Sequence, residues 1–72
     1  MNYTSKKEIG MRIRYLRKQR KISIEELSFR SNINRNYLGD LERGKRNPTL
    51  LILEKIARGL EITLEELFKG IM

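Results

Sequence analysis

Seventy-two residues carrying 16 Lys and Arg against 9 Asp and Glu, a formal net charge of +7, make a small basic chain suited to a polyanionic partner. With no Cys and no His, it has no disulfide, thiol nucleophile or imidazole base, and it lacks the commonest zinc ligands. No stretch approaches ~18 consecutive apolar residues and the first residues lack the apolar run of a secretory signal, which excludes a membrane span and leads us to expect a cytoplasmic location.

Residues 1–5 read as a polar arm in which Thr4 or Ser5 caps a first helix from Lys6 to about Arg20. Ile9, Ile13 and Leu16 form its inward stripe, and the next slot on that stripe is the cation Arg17. Arg12, Arg14 and Lys18 fall on other faces, as solubilising charges. Ser23 with Glu26 makes a capping box that opens a second helix at Ile24. Ile24, Leu27 and Ser31 share one face of it, and Asn32 suits its end because Asn tolerates the left-handed backbone conformation. Ile33 is an apolar plug. A connection this short fits a helix-turn-helix corner spanning about residues 24–43.

Asn34 caps a third helix that Gly44 stops. Leu38, Leu41 and Glu42 face inward. Arg35, Asn36, Tyr37, Gly39, Asp40 and Arg43 are left for the outer face. Pro48 keeps this helix from running on. Thr49 opens a fourth helix whose buried stripe is Leu50, Leu53, Ile56, Ala57 and Leu60, with Leu51 and Ile52 apolar but off it. Gly59 weakens its end. Thr63 with Glu66 opens a short fifth helix with Leu67 and Phe68 inward, and Gly70-Ile71-Met72 is a tail. Nothing reads as a strand or an internal repeat. The expected architecture is all-α, five short helices in one domain over residues 1–72.

The third helix carries the functional signal. Its first turn crowds a guanidinium, an amide and a phenol where a helix can push its tip into a groove. Arg and Asn are the side chains that bond bidentately to guanine and adenine edges in the major groove. Arg35 is expected on guanine, Asn36 on adenine or a phosphate, and Tyr37 on a thymine methyl or a phosphate. Asp40 either accepts from cytosine N4 or orients Arg43. Arg43, Lys45, Arg46 and Asn47 follow where a docked duplex backbone would run, and are expected to clamp phosphates; a solvated basic turn is the alternative. Ser23 and Thr49, with the free amides they help cap, are further phosphate candidates. Arg17 and Glu42 are charges on apolar stripes. Each would cost several kcal/mol to bury alone, which pairing with each other resolves.

From Ile9 to Phe68 the chain resembles the lambda-repressor-like, or Cro/C1-type, helix-turn-helix domain. The matching runs are Leu16-Arg17, Ser23-Ile24-Glu25-Glu26-Leu27, Leu38, and Leu41-Glu42-Arg43-Gly44-Lys45-Arg46-Asn47-Pro48-Thr49. Leu53 to Ala57 and Leu60 to Phe68 match as well. The length and Asn34-Arg35-Asn36-Tyr37 look most like the small controller proteins of restriction-modification systems. The resemblance implies a compact five-helix fold, a recognition helix in the major groove of double-stranded DNA, and a homodimer on a near-palindromic operator. It also supports the Arg17–Glu42 pair. Ile24 departs from the family's frequent Gln, Ser28 from its Ala and Asn32 from its turn Gly; Phe29 stands where a charge is more common, to meet Tyr15 or a partner. Leu51, Ile52, Leu64 and Ile71, with Met72, are the residues expected at the dimer interface. No paired carboxylates, Gly-rich loop or metal-ligand cluster points to an enzyme, a cofactor or a small-molecule ligand. The competing expectation is an antitoxin-type interaction module with secondary DNA binding, for which Phe29, Leu51, Ile52 and Leu64 would serve.

Overall fold

The structure is a computed structural model that describes residues 5–69. Five helices follow one another: α1 (Lys6–Gln19), α2 (Ile24–Ser31), α3 (Arg35–Glu42), α4 (Leu50–Leu60) and α5 (Leu64–Phe68). Each opens on a short polar side chain that accepts a first-turn amide: Ser5 from Glu8, Ser23 from Glu26, Asn34 from Tyr37, Thr49 from Ile52 and Thr63 from Glu66. At α1 the capping box is complete, because the Glu8 carboxylate accepts the Ser5 amide in return. At α2 the carboxylate of the expected box goes elsewhere: Glu26 Oε2 takes Arg30 Nε at 2.8 Å.

The first four helices end alike. Lys21, Asn32, Gly44 and Glu61 all lie in the left-handed region, with φ of 58°, 55°, 79° and 62°. After α2 the Ile33 amide reaches back to Ser28 O and the Asn32 amide to Phe29 O. After α3 the Lys45 amide reaches Asp40 O and the Gly44 amide Leu41 O; after α4 the Ile62 amide reaches Ala57 O. This doubled reach-back closes a helix while turning the chain away. Three of the corners then read alike: a left-handed residue, an isoleucine, a cap. Lys21-Ile22-Ser23, Asn32-Ile33-Asn34 and Glu61-Ile62-Thr63 each stop one helix, plug the core and start the next.

Those corners fold α2 onto α4 and α1 onto α3, with α5 closing against α1 and α4. Ile13, Leu27, Leu38, Leu41, Leu53, Ile56, Leu60 and Leu67 form one buried cluster. Fully burying a Leu or Ile side chain contributes about 1.5–3 kcal/mol, so this cluster is the main source of stability. Arg12 fastens α5: its Nε and Nη2 donate to Leu67 O and Glu66 O at 3.0 and 2.9 Å. It is a structural tie, not a solubilising charge.

Several expectations need correction. Leu50, as the opening residue of α4, is 62% exposed and not part of the buried stripe. Ile52 and Leu64, expected to be left over, are half-buried and pack on the core, because neighbouring helices reach further round α4 and α5 than one stripe implies. Gly39 is buried, with Ile24 and the Arg43 guanidinium over it, so α3 turns more of its surface inward than the Leu38–Leu41 stripe suggests. Phe29 stands 83% exposed, while Tyr15, also exposed, has the Arg12 guanidinium 5.8 Å from its ring centre. Ile71 and Met72 lie outside the described residues.

Candidate nucleic-acid interface

The three-residue corner after α2 brings the N-terminal end of α3 to the surface. Asn34 Oδ1 accepts only the Tyr37 amide, so the other first-turn amides have no intrahelical partner and add their partial positive charge to the tip. Arg35 and Asn36 are exposed there. Tyr37 is half-buried, packs on the core, and lies under the Arg46 guanidinium, 5.2 Å from its ring centre. The Tyr37 ring is therefore a platform shared between the helix and the turn that follows it.

Behind the tip the basic turn is organised by one carboxylate. Asp40 Oδ1 accepts Arg43 Nη2 at 2.8 Å, and Asp40 Oδ2 lies 3.5 Å from Arg46 Nη2. The Arg43 hydrogen bond, with the nearby charges of Arg46 and Lys45, holds the Asp40 carboxyl below its ordinary range. Tyr37, Asp40, Arg43 and Arg46 thus form one connected cluster. Lys45 and Asn47 are exposed beside it. Ser23 and Thr49 are exposed caps whose oxygens already accept amides; the Thr49 hydroxyl hydrogen is left to donate to an anion, while the Ser23 hydroxyl also bonds the Glu25 carboxylate.

The cluster is anchored from below. Arg17 Nε and Nη2 donate to Glu42 Oε2 and Oε1 at 2.8 and 3.0 Å, and Arg17 Nη1 donates to Ile22 O at 3.0 Å. The two side chains are only 11% and 2% exposed. Their bidentate bond keeps Arg17 charged, lifting its pKa against the opposing pull of burial. It ties α1 to the last turn of α3, so α3 is held by a buried ionic bond as well as by Leu38 and Leu41.

One contact escaped the sequence analysis. Glu25, in the first turn of α2, accepts Arg35 Nε at 2.8 Å. Ten residues of separation match no helical period; only the corner geometry brings the two together. The residues expected at a dimer interface are less well gathered: Leu51 is 60% exposed, whereas Ile52 and Leu64 are shared with the core. Among the described residues no group of acidic side chains could hold a metal ion, and no helix is long and apolar enough to cross a membrane.

A family model described as Helix-turn-helix matches residues 13–67. The chain is 43% identical over 63 residues to the control protein C.MunI of a Mycoplasma species, covering 86% of this chain and 85% of that one. It is also 43% identical over 54 residues to the immunity repressor protein of Bacillus phage phi105, which is 75% of this chain but 38% of the repressor. Among solved structures it is similar to the restriction-modification controller protein C.AhdI of Aeromonas hydrophila. That match has a TM-score of 0.84 at 41% identity and covers 88% of this chain and 96% of that one.

Proposed function

This chain belongs to the Cro/C1-type helix-turn-helix family, and on that premise we propose that it is a dimeric, sequence-specific transcription regulator of the controller type. DNA is the partner of this fold, and transcription control is the role shared by its relatives. The observation that carries the finer reading is the arrangement on α3: Arg35 and Asn36 exposed at a positive helix tip, with Arg43 and Arg46 gathered by Asp40 behind it. Arg35, Asn36 and Tyr37 read base edges. Ser23, Arg43, Lys45, Arg46, Asn47 and Thr49 hold phosphates on either side. Two copies related by a two-fold axis place their α3 tips about one helical turn apart, ~34 Å, on half-sites that are inverted repeats. The protein acts in the cytoplasm, on the operator of the genes it regulates.

Selection of bound duplexes from a random pool tests this directly. An inverted repeat with half-sites about 10 base pairs apart is the expected outcome. Affinity should fall with salt at a log–log slope of roughly −5 or steeper for a dimer, at about 0.9 per phosphate neutralised. A slope near −1, or no enriched sequence, removes the reading.

A further inference from the structure

We propose that Glu25 is a positioning residue for base recognition, holding Arg35 by its Nε so that the guanidinium is presented end-on to the operator. The proposal rests on Arg35 being a base reader. A guanidinium can offer two parallel N–H bonds either from its two terminal nitrogens or from Nε and one terminal nitrogen. Glu25 Oε2 occupies Nε at 2.8 Å, and Arg35 makes no other hydrogen bond among the described residues. The second mode is blocked and the first is left open. That open fork carries two parallel donors, which can meet guanine O6 and N7.

The placement of Glu25 works against general affinity for a polyanion. It is an exposed carboxylate at the face that meets a polyanion, where its charge opposes binding. It stays ionised there, since the Arg35 hydrogen bond, its own backbone amide and the Ser23 hydroxyl lower its pKa. The start of α2 is also a favourable place for a negative charge. A side chain that served general affinity would be neutral or basic at this position. One that fixes the plane of the reading arginine gives up some attraction for every sequence, and in return lowers the ordering cost of meeting the right one.

The test compares three duplexes: the selected operator, the same operator with the Arg35-read pair replaced, and an unrelated sequence. Wild type, Glu25→Ala, Glu25→Gln and Arg35→Ala are measured on each, with thermal melts to confirm folding. Glu25→Ala should reduce discrimination at that one base pair by roughly tenfold, the scale of a single bidentate contact, while binding to the unrelated duplex holds or strengthens. Glu25→Gln, whose amide oxygen still accepts from Nε, should keep most of the discrimination. Adding Glu25→Ala to Arg35→Ala should change base preference no further. If Glu25→Ala keeps full discrimination, or weakens all three duplexes by one factor, Glu25 does not position the reader. If instead Arg35→Ala leaves base preference intact, it is the reader role of Arg35 that fails.

Discussion

Gly59 and Ser31 meet where α4 crosses α2, with no room between them for a methyl group. A Cβ on Gly59 would overlap Ser31 Oγ and come within 3.2 Å of Leu27 Cδ1. Ser31 Oγ is itself buried with no hydrogen-bond partner among the described residues. Gly59→Ala should therefore destabilise by about 1–3 kcal/mol through overpacking, despite alanine's better helix propensity. Ser31→Ala should be neutral or stabilising by up to about 1 kcal/mol, since it removes an orphaned hydroxyl. Combined, the two should lose clearly less than their separate effects predict. Denaturant melts of the four proteins decide; strict additivity means that the helices part to admit the methyl.

Arg17→Met and Glu42→Leu should each cost roughly 3–5 kcal/mol, because either strands its partner's charge in the interior. The double replacement should recover much of that loss. Equal and additive losses in the cycle would show that the two side chains are not coupled in solution.

Arg35→Ala should cost on the order of 1–3 kcal/mol per half-site and relax preference at one base position. Arg46→Ala should weaken every sequence alike and make the salt slope shallower. Titrations at three salt concentrations separate the two roles. A change of base preference with Arg46→Ala would assign it to reading, not clamping.

Acid should loosen the basic turn. Asp40 has a lowered carboxyl pKa when folded, first through the Arg43 hydrogen bond. Its contribution is therefore whole above the ordinary carboxylate value and is lost as pH falls through the lowered one. Thermal midpoints at about pH 6 and about pH 2 should fall further for wild type than for Asp40→Asn, which has no such proton to bind. An identical fall in both proteins would mean that the exposed pair contributes nothing.

The dimer test narrows to one of the residues the sequence favours. Ile52→Asp or Leu64→Asp would place a charge against the core and confuse unfolding with dissociation. Leu51, 60% exposed on α4, is the cleaner site. Leu51→Asp should give a folded monomer in sedimentation at micromolar concentration, with far weaker operator binding. A Leu51→Asp dimer would put the two-fold contact elsewhere.

What was legible in the sequence was whatever chemistry is local. Ser23, Asn34, Thr49 and Thr63 announce helix starts because a cap bonds an amide three residues on. Leu53, Ile56 and Leu60 announce a buried face because 3.6 residues make a turn. Arg17 and Glu42 stood out as charges on apolar stripes, though residue spacing alone could not measure their contact. What stayed hidden depends on which helices cross and where. Ile52 and Leu64 looked surplus until α4 and α5 were packed. Arg12 looked like one more surface cation until α5 ended beneath it. Glu25 and Arg35 share no helix face at all.

The division of labour on α3 has an evolutionary consequence. Its start, its stop and its seat in the fold belong to Asn34, Gly44, Leu38, Leu41 and Glu42. Asn36 belongs to none of these, and Arg35 touches the frame only through a surface carboxylate. Arg35 and Asn36 can thus be replaced without reopening the question of whether the protein folds, whereas Tyr37, packed on the core, cannot. On the proposed reading, a lineage of such chains diverges to new target sequences through two exposed side chains while one scaffold passes unchanged between them.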